Sequence, residues 1–465
     1  MKTLVKRLAI GALALVGLAV VLAAAVVAIN WKDEPLLPGA AARLKPEGVR
    51  AEAAVNGFYT AIGLGADDPL AYGRRRSEVL AARGGTPEGR AEFAALPEPK
   101  VELPKAATCQ PEKEPCFQRY LATPADAAAV AAAGRGLAAQ YRELREYAAL
   151  EEPPPNSDLA APLLVLTNLV HGQRVVFAEI AAAVDAGKLR LAVDELAAEL
   201  ALHRRFLAGS QTLVTKLVAR RMLQRDLLVL AQLAEARPGA IDAAARARLE
   251  PVLAPLTDAE RSIERGVWNE FRLAANTYLT LPETGRKFNA EAELLQTDAW
   301  VLQQFAYQPQ ATVNRDYAWR EAIAAAHRAP PDRLDDALKA ADAKASQEAA
   351  QLAASLAPYN FVGNRLAAVA YSDFREYALA MVDVDGLVRL VNAALLVAPS
   401  AASPAEVPAA LAAAGARAAD PYTGKPLTWD AATRTLSFVP RAKRSESDRI
   451  GTVPGRWSLV VAATW

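Results

Sequence analysis

The chain has 465 residues, of which 52% are hydrophobic and 23% are charged. This composition is typical of a folded chain, and the length is sufficient for two or three domains. The formal net charge of +1 supplies no basic stripe, so we expect no nucleic-acid partner. Three histidines and two cysteines are few ligands for a transition metal. We therefore predict no metal ion and no other cofactor, although a site made only of carboxylates stays open.

The first element in the chain is an apolar run from Leu8 to Ile29 that contains no charged residue. At about 1.5 Å per residue it can cross a hydrocarbon core of about 30 Å. Lys2, Lys6 and Arg7 precede the run, which places the N-terminus in the cytoplasm by the positive-inside rule. The sequence predicts a single-pass inner-membrane protein with the bulk of the chain in the periplasm.

A cleaved signal peptide is the alternative interpretation of the same run. The small residues Ala23, Ala24 and Ala25 offer a cleavage site. The run is longer than an ordinary signal-peptide core, and Trp31 and Lys32 follow it as an interfacial anchor would. We therefore favour a helix that is retained as a membrane anchor.

Composition divides the whole chain into four segments. Residues 1–31 form the cytoplasmic start and anchor, 32–122 a stalk and a cysteine-bearing segment, 123–398 a helical domain, and 399–465 a linker with a small β element. Cys109 and Cys116 are the only cysteines, and in an oxidising compartment such a close pair favours a disulfide over a redox role.

The predicted helical domain has capping and periodicity patterns. Thr123 begins a helix that is expected to reach about Leu150, and further helices are expected at 157–184, 212–236, 242–253, 290–304, 315–328, 332–356 and 365–398. Buried positions recur at steps of three and four from Leu189 to Leu207, with His203 among them. Short links between long helices predict an antiparallel, bundle-like domain.

Near the C-terminus the hydrophobic period changes from helical to two. The segments 426–429 and 435–439 flank a turn, and 457–461 is a third strand candidate. The predicted fold is thus mostly α, with one transmembrane helix and a small β-hairpin or three-stranded element.

Thr257 and Glu260 match a capping box that begins another helix, whose apolar face reaches Tyr278 and which is expected to end at 281–285. Helical phase then places Glu264 inside the apolar stripe, where a carboxylate has to be paired, hydrogen-bonded or protonated. A structural ion pair is the plainer interpretation. A binding or acid–base role, with Glu270 at the edge of the stripe, is the alternative.

Arginines cluster on an earlier helix at Arg220, Arg221 and Arg225. They could pair with the carboxylate, bind an anionic ligand or face solvent. The candidate binding residues are Glu264, Glu270 and Arg221. No catalytic residue is assigned, because the chain lacks GxSxG, GxxxxGK[ST] and HExxH patterns and its three histidines show no partner in sequence.

Four short sequence motifs occur together along the chain. They are Asp33-Glu34-Pro35-Leu36, Asn56-Gly57-Phe58-Tyr59, Asn360-Phe361-Val362-Gly363 and Asp420-Pro421-Tyr422-Thr423-Gly424-Lys425-Pro426-Leu427. The combination resembles uncharacterised membrane-anchored envelope proteins of Gram-negative bacteria. The resemblance implies an envelope location and carries over no catalytic residue.

The sequence thus favours a membrane-anchored helical protein that binds or scaffolds an envelope protein partner. The alternative is an envelope enzyme with a carboxylate and arginine site in a helical cleft. A deep pocket that unites Glu264, Glu270 and Arg221 would favour the enzyme, whereas a filled core with an exposed apolar groove would favour the binding protein.

Overall fold

The computed structural model describes residues 2–49, 51–83, 86–109, 114–155, 161–237, 239–289, 306–370, 374–398, 404–443 and 456–461. In these ranges the chain is mostly helical, with one apolar N-terminal helix and a three-stranded antiparallel sheet near the C-terminus. The prediction of a mostly α protein with a small β element is confirmed at that level. The helix predicted at 290–304 lies outside the described residues.

The α-helices are α1 Lys2–Ile29, α2 Pro38–Arg43, α3 Phe58–Gly63, α4 Pro69–Arg83, α5 Pro87–Ala94, α6 Cys116–Ala122, α7 Pro124–Ala133, α8 Arg135–Glu143, α9 Thr167–Asp185, α10 Leu189–Gly209, α11 Leu213–Ala236, α12 Ala243–Leu249, α13 Asp258–Arg261, α14 Glu264–Asn289, α15 Pro309–His327, α16 Pro331–Ala354, α17 Phe361–Ala370, α18 Arg375–Val397 and α19 Val407–Ala414. The strands are β1 Thr428–Asp430, β2 Thr435–Phe438 and β3 Trp457–Val460.

Helix α1 contains the apolar stretch Ile10–Ile29, and none of that stretch is buried against the rest of the protein. Leu13 is 75% exposed and Val16 is 63% exposed. A helix of this length and composition can span a membrane, and a signal sequence has the same features.

The main core lies where α9, α10, α11 and α18 pack together. The predicted stripe on α10 is confirmed, because Val193, Leu196, Leu200, His203 and Leu207 are all fully buried. Helix α18 is buried along almost its whole length, which explains its nearly continuous apolar sequence.

Several predicted helices have different bounds in the structure, among them the helix predicted at 315–328, which already begins at Pro309. The helix expected from Thr123 to Leu150 is interrupted at Gly134, where a Cβ atom would lie 2.2 Å from Val175 on α9. The helix expected at 157–184 begins only at Thr167, and residues 156–160 are not described. The stretch expected as one helix at 365–398 overlaps two helices, α17, which already begins at Phe361, and α18.

The capping box at Thr257 is confirmed, but the helix that it begins ends after one turn at Arg261. A second helix, α14, then begins at Glu264 and continues to Asn289, past the end predicted at 281–285. At the break, the backbone N–H of Ile263 donates a hydrogen bond to His327 Nε2 over 3.1 Å. The prediction of one continuous helix was wrong, because this partner from α15 satisfies a backbone donor that would otherwise bond within the helix.

The C-terminal sheet has the order β1-β2-β3 with antiparallel neighbours. Trp429 pairs with Leu436, and Phe438 pairs with Trp457 across the second ladder. The Phe438 ring packs over Gly386 of α18, where a Cβ atom would lie 2.5 Å from the ring. This close approach joins the sheet to the helical core.

Cys109 and Cys116 form a disulfide with a Cα–Cα distance of 5.7 Å, as predicted. Both cysteines are buried. The bond joins Cys109, which follows a short 3-10 helix at Lys105–Thr108, to the first residue of α6.

The segment predicted as a stalk contains α2, which packs against α14 and α15. Ala40 is fully buried in a cluster with Trp268, Phe271 and Val313. A Cβ atom on Gly39 would lie 2.2 Å from the Tyr317 hydroxyl, so α2 and α15 are in close contact. This part of the segment is therefore built into the helical fold.

Candidate functional site

A cleft of about 360 Å³ lies between α4, the start of α11, α14 and the extended chain that follows α8. Its lining residues are Ser77, Leu80, Ala81, Glu152, Pro153, Pro154, Pro155, Ala161, Pro162, Leu163, Leu164, Thr212, Val214, Thr215, Asn269, Glu270 and Leu273. Most of these side chains are apolar. The volume falls in the range of pockets that take small ligands.

Glu152 fixes one wall of the cleft. Its carboxylate accepts hydrogen bonds from the backbone N–H groups of Gln211 and Thr212 over 2.7 and 2.8 Å, and from the hydroxyls of Thr212 and Thr215 over 2.8 and 2.7 Å. Burial raises the pKa of Glu152, and these four donors oppose that shift. The carboxylate thus caps the start of α11 and holds the three prolines that follow it beside that helix.

The rim of the cleft is apolar and open to solvent. Leu163 is 66% exposed and Val214 is 39% exposed, and the neighbouring Val165 is 48% exposed. Exposed apolar side chains that gather around a concave site are typical of a binding surface.

Glu270 is the cleft carboxylate with free acceptor capacity. Within the residues that the structure describes, no hydrogen bond or ion pair reaches its side chain. Burial raises the pKa of Glu270, Asp316 adds to that effect, and the Arg320 guanidinium opposes it. A half-buried carboxylate without a partner can accept a hydrogen bond from a ligand or pair with a cationic group.

The structure separates the three residues named from sequence. Glu264 and Glu270 both lie on α14, but six residues turn a helix by about 240°, so they face different directions. Arg221 lies on α11, and neither Arg221 nor Glu264 lines the cleft. Of the three, only Glu270 does.

Glu264 has a structural environment. Its side chain is 28% exposed and pairs with Arg328 over 3.1 Å and with Arg43 over 3.7 Å. The indole N–H of Trp268 donates to the same carboxylate over 3.3 Å. The buried carboxylate of this region is instead Glu260, which pairs with Arg204 over 2.7 Å.

A second polar cluster, which sequence reasoning did not assemble, lies in the main core. The Tyr141 hydroxyl is 2.7 Å from Glu199 Oε2 and 2.9 Å from His203 Nε2, while His203 Nδ1 is 2.5 Å from Asp226 Oδ2. Gln173 donates to the other oxygen of Asp226 over 2.7 Å. All five residues are buried completely.

Opposing electrostatic effects act on His203 and Asp226 in this core cluster. Burial lowers the pKa of His203, but Asp226 outweighs that effect and the net shift is upward. Burial also raises the pKa of Asp226, to about 6, against the opposing effect of His203. The hydrogen bond between His203 and Asp226 is extended by Tyr141 and Glu199 into a network across several helices.

Glu199, His203 and Asp226 could also hold a metal ion, because their ligand atoms lie within 4.8 Å of one another. Both nitrogens of His203 already have partners, so an ion would have to displace the hydrogen bonds with Tyr141 or Asp226. Among the residues that the structure describes, Cys109, Glu114 and Cys116 form a second such group, but both sulfurs belong to the disulfide.

Sequence spacing contained part of the information for the core cluster. Glu199 and His203 are four residues apart on α10 and therefore share a face. Tyr141, Gln173 and Asp226 come from three other helices, so only the tertiary packing brings them to that face.

Comparison of the chain with protein-family models, with curated proteins and with solved structures gives no match.

Proposed function

We propose that the protein is a single-pass, membrane-anchored binding component of the cell envelope, with an antiparallel, bundle-like helical domain in the periplasm. The cleft that contains Glu270 binds the ligand. The ligand is apolar over most of its surface and carries an amine or another hydrogen-bond donor at one end. An envelope partner protein of the kind expected from sequence would be the source or the recipient of that ligand.

The observation that carries this proposal is the pairing of an apolar cleft with one carboxylate that has no partner in the described structure. Leu80, Leu164 and Leu273 offer apolar contact area, and Glu270 offers the polar contact that orients a ligand. Glu152, in contrast, already accepts four hydrogen bonds. A cationic group is therefore expected at the Glu270 end of the cleft.

The membrane anchor is supported by α1, because none of its apolar stretch Ile10–Ile29 is buried against the domain. Lys2, Lys6 and Arg7 support a cytoplasmic N-terminus, which leaves the domain on the periplasmic side. The enzyme alternative receives less support, because Glu264, Glu270 and Arg221 do not meet in one pocket.

The test uses full-length protein in phosphatidylcholine nanodiscs, with empty nanodiscs as the blank. Saturation-transfer NMR compares hexylamine, hexanol and hexanoate, which share an apolar chain and differ in charge. We expect binding in that order. Glu270→Gln should weaken hexylamine binding about tenfold, which corresponds to about 1.4 kcal/mol, and should leave hexanol unchanged.

A matched pair of variants locates the binding site. Leu163→Asn on the cleft rim should weaken all three probes. Leu191→Asn changes a similarly exposed leucine on α10, outside the cleft, and should weaken none. The proposal would be contradicted if Leu163→Asn bound each probe as tightly as Leu191→Asn does. It would also be contradicted if the unmodified protein showed no preference for the amine.

A further inference from the structure

The end of the anchor helix is fixed to the folded domain by Asn30, the first residue after α1. Its side-chain amide donates to Pro358 O over 2.8 Å, and its side-chain oxygen accepts from the backbone N–H of Asn360 over 2.9 Å. Its own carbonyl accepts from Gln308 Nε2 over 2.7 Å. Asn30 is only 5% exposed and Asn360 is fully buried, so this junction belongs to the interior of the domain.

The residues that follow continue the attachment along the start of α15. Asp33 accepts hydrogen bonds from the backbone N–H groups of Gln310 and Ala311 over 2.7 and 3.1 Å. Asn314 then accepts from the N–H of Leu37 over 2.8 Å and donates to the carbonyl of Pro35 over 3.0 Å. No free linker separates α1 from the domain, so the direction of α1 sets which surface of the domain faces the membrane.

The depth of that surface follows from the length of α1. The apolar stretch Ile10–Ile29 has 20 residues, and at about 1.5 Å per residue it fills a hydrocarbon core of about 30 Å. Asn30 therefore lies at the boundary with the headgroups. Pro358, which Asn30 contacts, lies at the same level.

Two large apolar side chains beside this junction are exposed. Trp31 is 81% exposed, and Leu356 is 84% exposed. Leu356 is two residues from Pro358, and two residues of extended chain measure roughly 7 Å. The headgroup layer is itself several ångströms deep on each side. Both side chains thus lie within reach of the layer in which tryptophan and leucine are stabilised by partial burial.

We propose that Trp31 and the loop 355–359 form a lipid-contact surface, with Leu356 inserted into the headgroup layer of the bilayer in which α1 is anchored. The exposed Lys32 beside Trp31 faces the same layer and is suited to lipid phosphate. The surface holds the domain against the membrane. This inference rests on the anchored state assumed in the proposed function, and it adds a second membrane contact outside α1.

The loop conformation supports a surface that is already formed. The Ala357 N–H donates to the Ser355 hydroxyl oxygen over 3.0 Å, and the Arg365 guanidinium donates to the Ser355 carbonyl over 3.1 Å. Tyr359 donates to Glu34 over 3.0 Å. These bonds hold the backbone on both sides of Leu356 while its side chain projects outward.

The test measures the depth of single fluorophores in full-length protein. The two native cysteines are joined in the disulfide, so an introduced cysteine is the only free thiol. Bimane is attached to Leu356→Cys, to Leu18→Cys in α1 and to Leu191→Cys on α10, all of which change exposed positions. Each protein is reconstituted in phosphatidylcholine–phosphatidylglycerol vesicles, with and without lipids that carry a nitroxide on the headgroup or on the acyl chain.

We expect the headgroup nitroxide to quench most of the Leu356 fluorescence and to leave the Leu191 label unchanged. The acyl-chain nitroxide should quench the Leu18 label. Quenching at Leu18 together with no quenching at Leu356 would overturn the lipid-contact surface and leave the anchor intact. No quenching at Leu18 would instead refute the anchor, and with it the proposed function.

Discussion

At the residue scale, the buried ion pair that the sequence assigned to Glu264 belongs to Glu260. The Arg204 guanidinium donates to both Glu260 oxygens over 2.7 and 2.9 Å, and the Thr257 N–H donates over 2.6 Å. Burial raises the pKa of Glu260, but these donors outweigh it and the net pKa lies below the ordinary value. Helical phase alone could not show this, because the break at Ile263 changes which side faces the core.

The two glutamates should therefore differ in their effect on stability. Glu260→Ala leaves the mostly buried Arg204 without its carboxylate and should cost about 3–5 kcal/mol. Glu264→Ala removes a partly exposed pair and should cost about 1 kcal/mol or less. Urea unfolding of the detergent-solubilised protein, followed by tryptophan fluorescence, measures both. A larger loss for Glu264→Ala than for Glu260→Ala would contradict this assignment.

His327 should make folding stability depend on pH. Its Nε2 accepts the Ile263 N–H, and burial, opposed by Glu264 and reinforced by nearby cations, lowers its pKa to about 4. The imidazole of His327 becomes protonated near pH 6.5 in the unfolded chain, whereas in the folded chain it becomes protonated only near pH 4. The free energy of unfolding therefore has its full value above about pH 6.5. It falls by up to about 3 kcal/mol as the pH drops from about 6.5 to about 4.

The variant His327→Gln retains an acceptor for Ile263 but does not titrate. Unfolding free energies between pH 7 and pH 4 should fall more steeply for the unmodified protein than for this variant. Parallel curves for the two proteins would show that His327 does not take up its proton on unfolding in this range.

At the element scale, α17 packs on α15 through Gly363. A Cβ atom at this position would lie 2.0 Å from the Thr312 hydroxyl and 2.2 Å from Asn360 Oδ1. Asn360 has a positive φ of 49°, and its side-chain oxygen accepts from the backbone N–H of Gln308 over 2.8 Å. The phrase Asn360-Phe361-Val362-Gly363 therefore encodes a helix start that joins α15, α17 and the end of α1.

Gly363→Ala should destabilise the protein by about 1–3 kcal/mol, because the added methyl group forces Thr312 and Asn360 apart. Gly136→Ala is the matched control, since Gly136 lies in helix α8 with open space around it. It should stabilise the protein by up to about 1 kcal/mol through helix propensity. Thermal melts compare the two, and equal shifts would contradict the close packing at Gly363.

Elements with a strong local pattern could be predicted, whereas elements that depend on distant partners could not. The α10 stripe, the capping box at Thr257, the three strands and the disulfide follow from periodicity, capping residues and cysteine spacing. The break between α13 and α14 depends on His327, which lies far along the chain. The cleft likewise unites α4, α11 and α14, and no local pattern contains that contact.

At the scale of the whole molecule, α1 and the domain form one connected unit through Asn30, Asp33 and Asn360. In the proposed anchored state, this connection gives the domain a fixed face toward the membrane and gives the cleft at Glu270 a fixed orientation. The proposed ligand binding and the proposed lipid contact therefore both belong to that anchored state.

The attachment of α1 in the mature protein is the claim on which both proposals depend. Intact-mass spectrometry of protein extracted from carbonate-washed membranes measures it directly. The predicted result is a species of 49.4 kDa that contains the apolar helix and is absent from the soluble fraction. A soluble species that lacks the residues up to about Ala25 would contradict the anchor and establish a cleaved signal peptide.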